Sequence, residues 1–175
     1  MDSRCPITAG KDNEGVVEMT VNIVEDGVAE AVKANFPDAV SEAKTQRRGR
    51  VVITVQKDRV VDVALLLKER LGFDYVTSVS GVDYPNRNEF EVVYHIWSIS
   101  RKILIALKTT VSKDDPRLQS LISVWDAVNY HERETHEMFG IDFIGHPNLT
   151  RFLLPEDWDK SPPFRKDFKL PTEPR

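Results

Sequence analysis

The stretch His131-Glu132-Arg133-Glu134-Thr135-His136-Glu137 gathers three kinds of titratable group into two turns of a helix. Such a set could hold a metal, relay a proton or tie elements together. The helical zinc motif requires two histidines at i and i+4, which puts both imidazoles on one face. Here His131 is followed correctly by Glu132, but the second histidine, His136, falls one position late. Five positions turn a side chain by roughly 140° around a helix, so the two imidazoles are expected on different sides. The spacing therefore counts against the sharpest chemical alternative, a stand-alone metal-dependent hydrolase built on His131, Glu132, His136 and Glu137. A general acid–base pair among these charges is a second alternative. The plainer expectation is a charged helix with its histidines in ordinary hydrogen bonds. His95, in a strand-like run, and His146, in a Gly-His-Pro turn, receive the same reading.

Composition narrows the choices further. The chain has 175 residues, 41% hydrophobic and 30% charged, which is the balance of a soluble domain able to build its own core. Its net charge of −4 argues against a dedicated nucleic-acid surface. Arg47, Arg48 and Arg50 form the one basic run that could argue otherwise, and a solvated hairpin tip explains them better. A single cysteine, Cys5, allows neither an internal disulfide nor a thiolate cluster. It lies in a polar N-terminal segment, 1–15, expected to be flexible, which is a poor setting for a nucleophile. No apolar run reaches the roughly 18 residues of a membrane span, and the N-terminus does not read as a signal peptide.

The elements that must position these groups follow from periodicity. Residues 16–24 read as a short strand or lead-in. Val28, Ala31, Val32 and Asn35 keep helical spacing ahead of Pro37. Residues 39–56 read as a hairpin turning near Gly49. Over 57–73, Val60, Val63, Ala64, Leu67 and Leu71 share one helix face, with Asp58 as the expected N-cap and Gly72 as the stop. Residues 75–85, 89–99 and 101–111 have strand composition. Residues 114–140 are expected to turn helical again, with Pro116 at the first helical position behind Asp115, and a second short helix ending at Gly140. The fold class predicted is α+β: an antiparallel or mixed sheet of about five strands, helices on one side, spanning 16–144.

Residues 145–175 differ in kind. Prolines at 147, 155, 162, 163, 171 and 174 forbid a long helix or a central strand. Yet Phe152, Leu153, Leu154, Trp158, Phe164, Phe168 and Leu170 are too apolar for a free linker. The segment is expected to be an extended Pro/aromatic-rich arm, its first part covered by its own body and the rest docking on a partner subunit. Arginine and aromatic anchors of this kind dominate protein interfaces.

Residues 120–170 resemble the signature region of a known family, the 30 kDa subunit of respiratory complex I, which is the C subunit of the bacterial NADH:quinone oxidoreductase. The matching elements are Glu132-Arg133-Glu134, Met138-Phe139-Gly140-Ile141, Gly145-His146-Pro147, Leu153-Leu154-Pro155-Glu156-Asp157-Trp158 and Arg165-Lys166-Asp167-Phe168. The likeness runs from about residue 50 to 170. Family members usually carry an aromatic and then Asp where this chain has His136 and Glu137. A similar variation occurs in archaeal relatives, among them deazaflavin dehydrogenases and ferredoxin-fed membrane-bound hydrogenases or sulfane reductases. The resemblance therefore leaves the electron donor open.

What the resemblance implies is a non-catalytic peripheral-arm subunit of a complex I-like oxidoreductase coupled to ion translocation. Such a subunit has no catalytic, cofactor-binding or metal-binding residues of its own, and iron–sulfur clusters are expected in its neighbours. It packs against the hydrogenase-like large subunit (the 49 kDa type in complex I) and the iron–sulfur subunits, and binds no nucleic acid. Partners hold it at the cytoplasmic side of the cell membrane. The residues expected to serve structure or interface are Glu132, Arg133, Glu134, Glu137, Phe139, Phe152, Trp158, Arg165 and Phe168. Arg133 and Glu137, one turn apart, are expected to form an ion pair.

Overall fold

The computed structural model describes residues 25–169. Cys5, the segment 1–15 and the strand expected over 16–24 lie outside the described residues. A helix, α1, occupies 25–35 and buries Val28, Ala29 and Val32. Then come β1 (Val40–Arg47) and β2 (Arg50–Val55), an antiparallel hairpin in which Arg47 pairs with Arg50 around the Arg48-Gly49 turn. The basic run thus sits at an exposed hairpin tip.

The helix α2 (Val60–Glu69) buries Val60, Val63, Ala64, Leu66 and Leu67. Asp58 is not its cap. A 3-10 turn over Lys57–Arg59 comes first, and the helix starts one turn later, behind Arg59, with no side-chain cap bond. The Arg59 amide already bonds the Gln56 carbonyl at 3.0 Å, so the chain tightens before the α-helical ladder begins.

Three long strands complete the sheet: β3 (Tyr75–Tyr84), β4 (Glu89–Ser98) and β5 (Ile103–Ser112). The order is β1-β2-β5-β4-β3. All neighbours are antiparallel except β2 and β5, which run parallel with Val51 opposite Ile105 and Ile53 opposite Leu107. The sheet is therefore mixed, and the chain passes through α2, β3 and β4 between its two parallel strands, as parallel pairing requires a long connection.

Alternation divides the sheet into two faces. Ile53, Ile105, Leu107, Val92, Tyr94 and Ile96 face the helices and are fully buried. Val52 and Val93 point the other way and take no part in the main core. The three α-helices among the described residues all contribute to that core, and so lie on the same side of the sheet.

The segment 114–127 departs from the expected helix. Residues Arg117–Gln119 form a strand, β6, paired in parallel with β7 (Asp142–Ile144), and turns lead from there to α3 (Val128–Phe139). The Asp115 carboxylate binds the Arg117 guanidinium at 2.5 Å instead of capping a helix. Leu118, opposite Phe143, is buried with it. Pairing with a strand far along the chain decides the conformation, and local propensity cannot register it. The end of α3 follows the sequence. Gly140 adopts φ 75°, a left-handed conformation that closes the helix, and its N–H bonds the His136 carbonyl at 2.7 Å.

Candidate partner interface

The helix α3 packs against β3, and its two faces do different work. Facing inward, Glu132 has no exposed surface. Its carboxylate accepts from the Tyr94 hydroxyl at 3.0 Å, from the Leu121 N–H at 2.9 Å and from the Ser120 hydroxyl. Burial raises its pKa, and the three donors pull it back. The Tyr94 hydroxyl is pushed well above its ordinary range by burial and then by the Glu132 charge beside it. Glu132 thus joins β4, the 120–121 turn and α3 at one buried point.

Outward, α3 holds the arm. Arg133 and Glu137 do not pair with each other. The Arg133 guanidinium donates to the Thr150 carbonyl at 2.9 Å, to the Thr150 hydroxyl at 3.1 Å and to the Arg151 carbonyl at 3.4 Å. It also lies over the rings of Phe152 (4.7 Å) and Tyr130 (5.5 Å). Glu137 accepts the backbone N–H groups of Phe152, Leu153 and Leu154 at 3.3, 3.0 and 2.7 Å. The expected ion pair gives way because three unsatisfied amides of an irregular segment make a better partner for the carboxylate than one solvated cation.

The next turn of the arm is fixed as firmly. Phe139 is buried and meets Phe90 and Phe164 edge-on, at 6.1 and 5.8 Å between centroids. Its ring lies against Gly81, where a Cβ would come within 2.6 Å of two ring carbons, so the absence of a side chain there lets α3 approach β3. Arg165 donates to the Phe139 carbonyl at 2.6 Å and lies 5.2 Å from the Phe90 centroid. The Phe164 N–H bonds the Met138 carbonyl at 3.0 Å. Trp158 and Phe168 pack at 6.0 Å in a tilted pair. Glu134 stays exposed, and its carboxylate makes no hydrogen bond among the described residues.

Several contributors were not anticipated. Asp83 pairs with Lys113 at 2.5 Å and accepts the Lys166 N–H at 2.8 Å, clamping the arm to β3. Burial alone would raise its pKa, but Lys113 and the Lys166 amide hold it below its ordinary value. Tyr94, Ser120, Tyr130 and Thr150 are among the others. The available signal was a polar residue at an inward position: Tyr94 interrupts Val92 and Ile96, and Asp83 follows Val79 on the core side of β3.

The histidines stay apart. His131 contributes its carbonyl to the Thr135 hydroxyl at 2.9 Å. The His136 Nδ1–H donates to the Ile141 carbonyl at 2.8 Å. His95 bonds Ser78 at 3.1 Å, and His146 meets the Asn129 carbonyl at 3.2 Å. Among the described residues no group of three or more His, Cys, Asp or Glu side chains is placed to hold a metal ion. With Glu132 sealed in the core, the hydrolase alternative has no geometry behind it.

The sequence relationships agree with this arrangement. Residues 53–174 match the family described as "Respiratory-chain NADH dehydrogenase, 30 Kd subunit". The chain belongs to this family. It is 42% identical over 142 residues to the C subunit of the F(420)H(2) dehydrogenase of Methanosarcina mazei, covering 81% of this chain and 90% of that one. It is 44% identical over 149 residues to the C subunit of the NADH-quinone oxidoreductase of a Roseiflexus species, covering 83% and 84%. Among solved structures, a chain of an archaeal membrane-bound sulfane sulfur reductase superposes with a TM-score of 0.69 at 25% identity, covering 83% of this chain and 85% of that one. A trypsin-resistant fragment of Nqo5 superposes with a TM-score of 0.61 at 24% identity, over 71% and 98%, and shares the fold. The chain is thus a complex I-like subunit of a multi-subunit respiratory complex, and so it has partner subunits.

Proposed function

We propose that this chain is a non-catalytic peripheral-arm subunit that packs against the hydrogenase-like large subunit of its complex. It helps to assemble the electron-transfer arm, with iron–sulfur subunits as further neighbours, on the cytoplasmic side of the membrane and coupled to ion translocation. The donor is NADH, reduced ferredoxin or reduced deazaflavin. No described helix is long and apolar enough to cross a membrane, so in this reading partners supply the contact with the bilayer.

The observation that carries the reading is the exposed cluster on α3 and the arm. Tyr130, Phe152 and Leu153 remain 65, 42 and 51% exposed, although Arg133 and Glu137 hold the backbone beneath them in place. Tyr130 and Phe152 meet edge-on at 5.9 Å with Arg133 over both rings. Pre-ordered aromatic and arginine side chains are the residues that carry binding energy in protein interfaces. Arg133 and Glu137 are spent on holding the arm and Glu132 on joining elements of the core, so in this reading these charges serve structure rather than turnover.

The test is purification of the tagged chain from detergent-solubilised membranes, with and without the double change F152A/L153A. The unaltered chain is expected to bring a hydrogenase-like large subunit and iron–sulfur proteins. The altered chain is expected to keep its fold and lose them. Recovery of the unaltered chain alone, or full retention of partners by the double variant, would overturn the proposal.

A further inference from the structure

Between the end of α3 and the loop 151–162 lies a hollow of about 180 Å³. It is smaller than the roughly 300 Å³ and upward of a typical small-molecule site. Its wall is rich in donors. Trp158 lines it, and the indole Nε1–H is buried without a hydrogen-bond partner among the described residues. Buried N–H groups nearly always find an acceptor. Arg151 and Lys160 line the same hollow. Arg151 donates to the Trp158 carbonyl at 2.7 Å, which fixes the loop, and the Lys160 ammonium stands 5.6 Å from the indole centroid. His136 presents its imidazole here with Nδ1–H committed to Ile141. Glu137 also borders the space, but both of its oxygens are held by the arm's three amides. Two cationic residues and a tryptophan with an open donor therefore line the same hollow, and the one carboxylate residue there is already engaged.

We propose that this hollow receives the carboxylate of an Asp or Glu side chain from a neighbouring subunit, accepting from Trp158 Nε1–H and pairing with Arg151 and Lys160. The volume suits one inserted side chain. Leu154, which lines the hollow, directly follows the exposed Phe152 and Leu153, so the site continues the surface assigned above to a partner. The inference rests on that assignment and adds its chemistry: an acidic anchor beside an aromatic patch, a combination that fixes orientation as well as contact.

The experiment is lysine acetylation of the purified intact complex and of the isolated chain, followed by carbodiimide cross-linking of the complex. Lys160 is expected to react about tenfold more slowly in the complex, as a buried charge-assisted contact implies. The carbodiimide is expected to join it to an acidic residue of another subunit. Equal reactivity in both states, or cross-links only to Asp157 and Asp159 of its own loop, would overturn the inference while leaving the subunit assignment standing. Equal protection of Lys160 in the isolated chain by millimolar inorganic phosphate or acetate would replace the protein carboxylate with a free anion. Absence of the chain from the complex would defeat both readings. Trp158→Phe keeps the ring and removes the donor, and the complex carrying it is expected to release the subunit about tenfold faster. An unchanged release rate would count against the indole as donor.

Discussion

Replacing Glu137 by alanine should open the arm without unfolding the body. The carboxylate accepts three backbone N–H groups at 3.3, 3.0 and 2.7 Å, and no other acceptor takes them among the described residues. A hydrogen bond to a charged group contributes roughly 1.5–3 kcal/mol. Phe152 and Leu153 are exposed, so water replaces much of what they lose. The first bond is also long. The loss is therefore expected near about 2 kcal/mol, close to that of one good charge-assisted bond. That corresponds to a local opening equilibrium about 30-fold more populated, since 1.4 kcal/mol is a factor of ten. Native-state hydrogen exchange reads it directly: the Leu153 and Leu154 amides should exchange about 30-fold faster, while core amides of β4 and β5 stay unchanged. Glu137→Gln keeps one acceptor oxygen and should fall between the two. Unchanged exchange at Leu154, or equal acceleration of the β4 and β5 amides, would refute the reasoning.

Glu132→Ala leaves the Tyr94 and Ser120 hydroxyls and the Leu121 amide without their acceptor, and should cost roughly 3–5 kcal/mol in chemical denaturation. Glu132→Gln should cost much less and should alter the pH dependence of stability. Burial holds the Glu132 pKa above its ordinary 4.5, so the folded state binds the proton more tightly than the unfolded one. The resulting stabilisation is present below that value and is lost as pH rises through the folded pKa. The glutamine variant should show a flatter profile across that window, and an identical profile would count against it. Gly81→Ala places a methyl 2.6 Å from the Phe139 ring and should destabilise by about 1–3 kcal/mol, read as a lowered Tm. Arg133→Ala removes the grip on Thr150 and Arg151 and should lower the yield of assembled complex at unchanged turnover per complex. An intact complex with slower turnover would contradict the structural role.

The periodic parts of this protein were legible along the chain. The stripe Val60-Val63-Ala64-Leu67 makes a helix wherever a core exists to receive it, and the β-branched alternation of β2, β4 and β5 makes half-buried strands. Gly140 marks the end of α3 because the left-handed turn there penalises any Cβ. The family likeness rested on ordered local motifs, and those too are read residue after residue. Pairings between distant residues were decided by the packing of whole elements. Leu118 became a strand because Phe143 lies beside it, which no window around Pro116 contains. Arg133 and Glu137 are near enough along the helix to pair, but an arm returning 17 residues later offers amides and carbonyls that each satisfies better. Along the chain Glu132 read as a structural or interface charge, with a metal ligand as the alternative. Only packing against β4, which brings the Tyr94 hydroxyl from 38 positions away, made it a buried junction. Local spacing fixes which way a side chain points on its own element, and what it meets there is fixed by where the other elements come to rest.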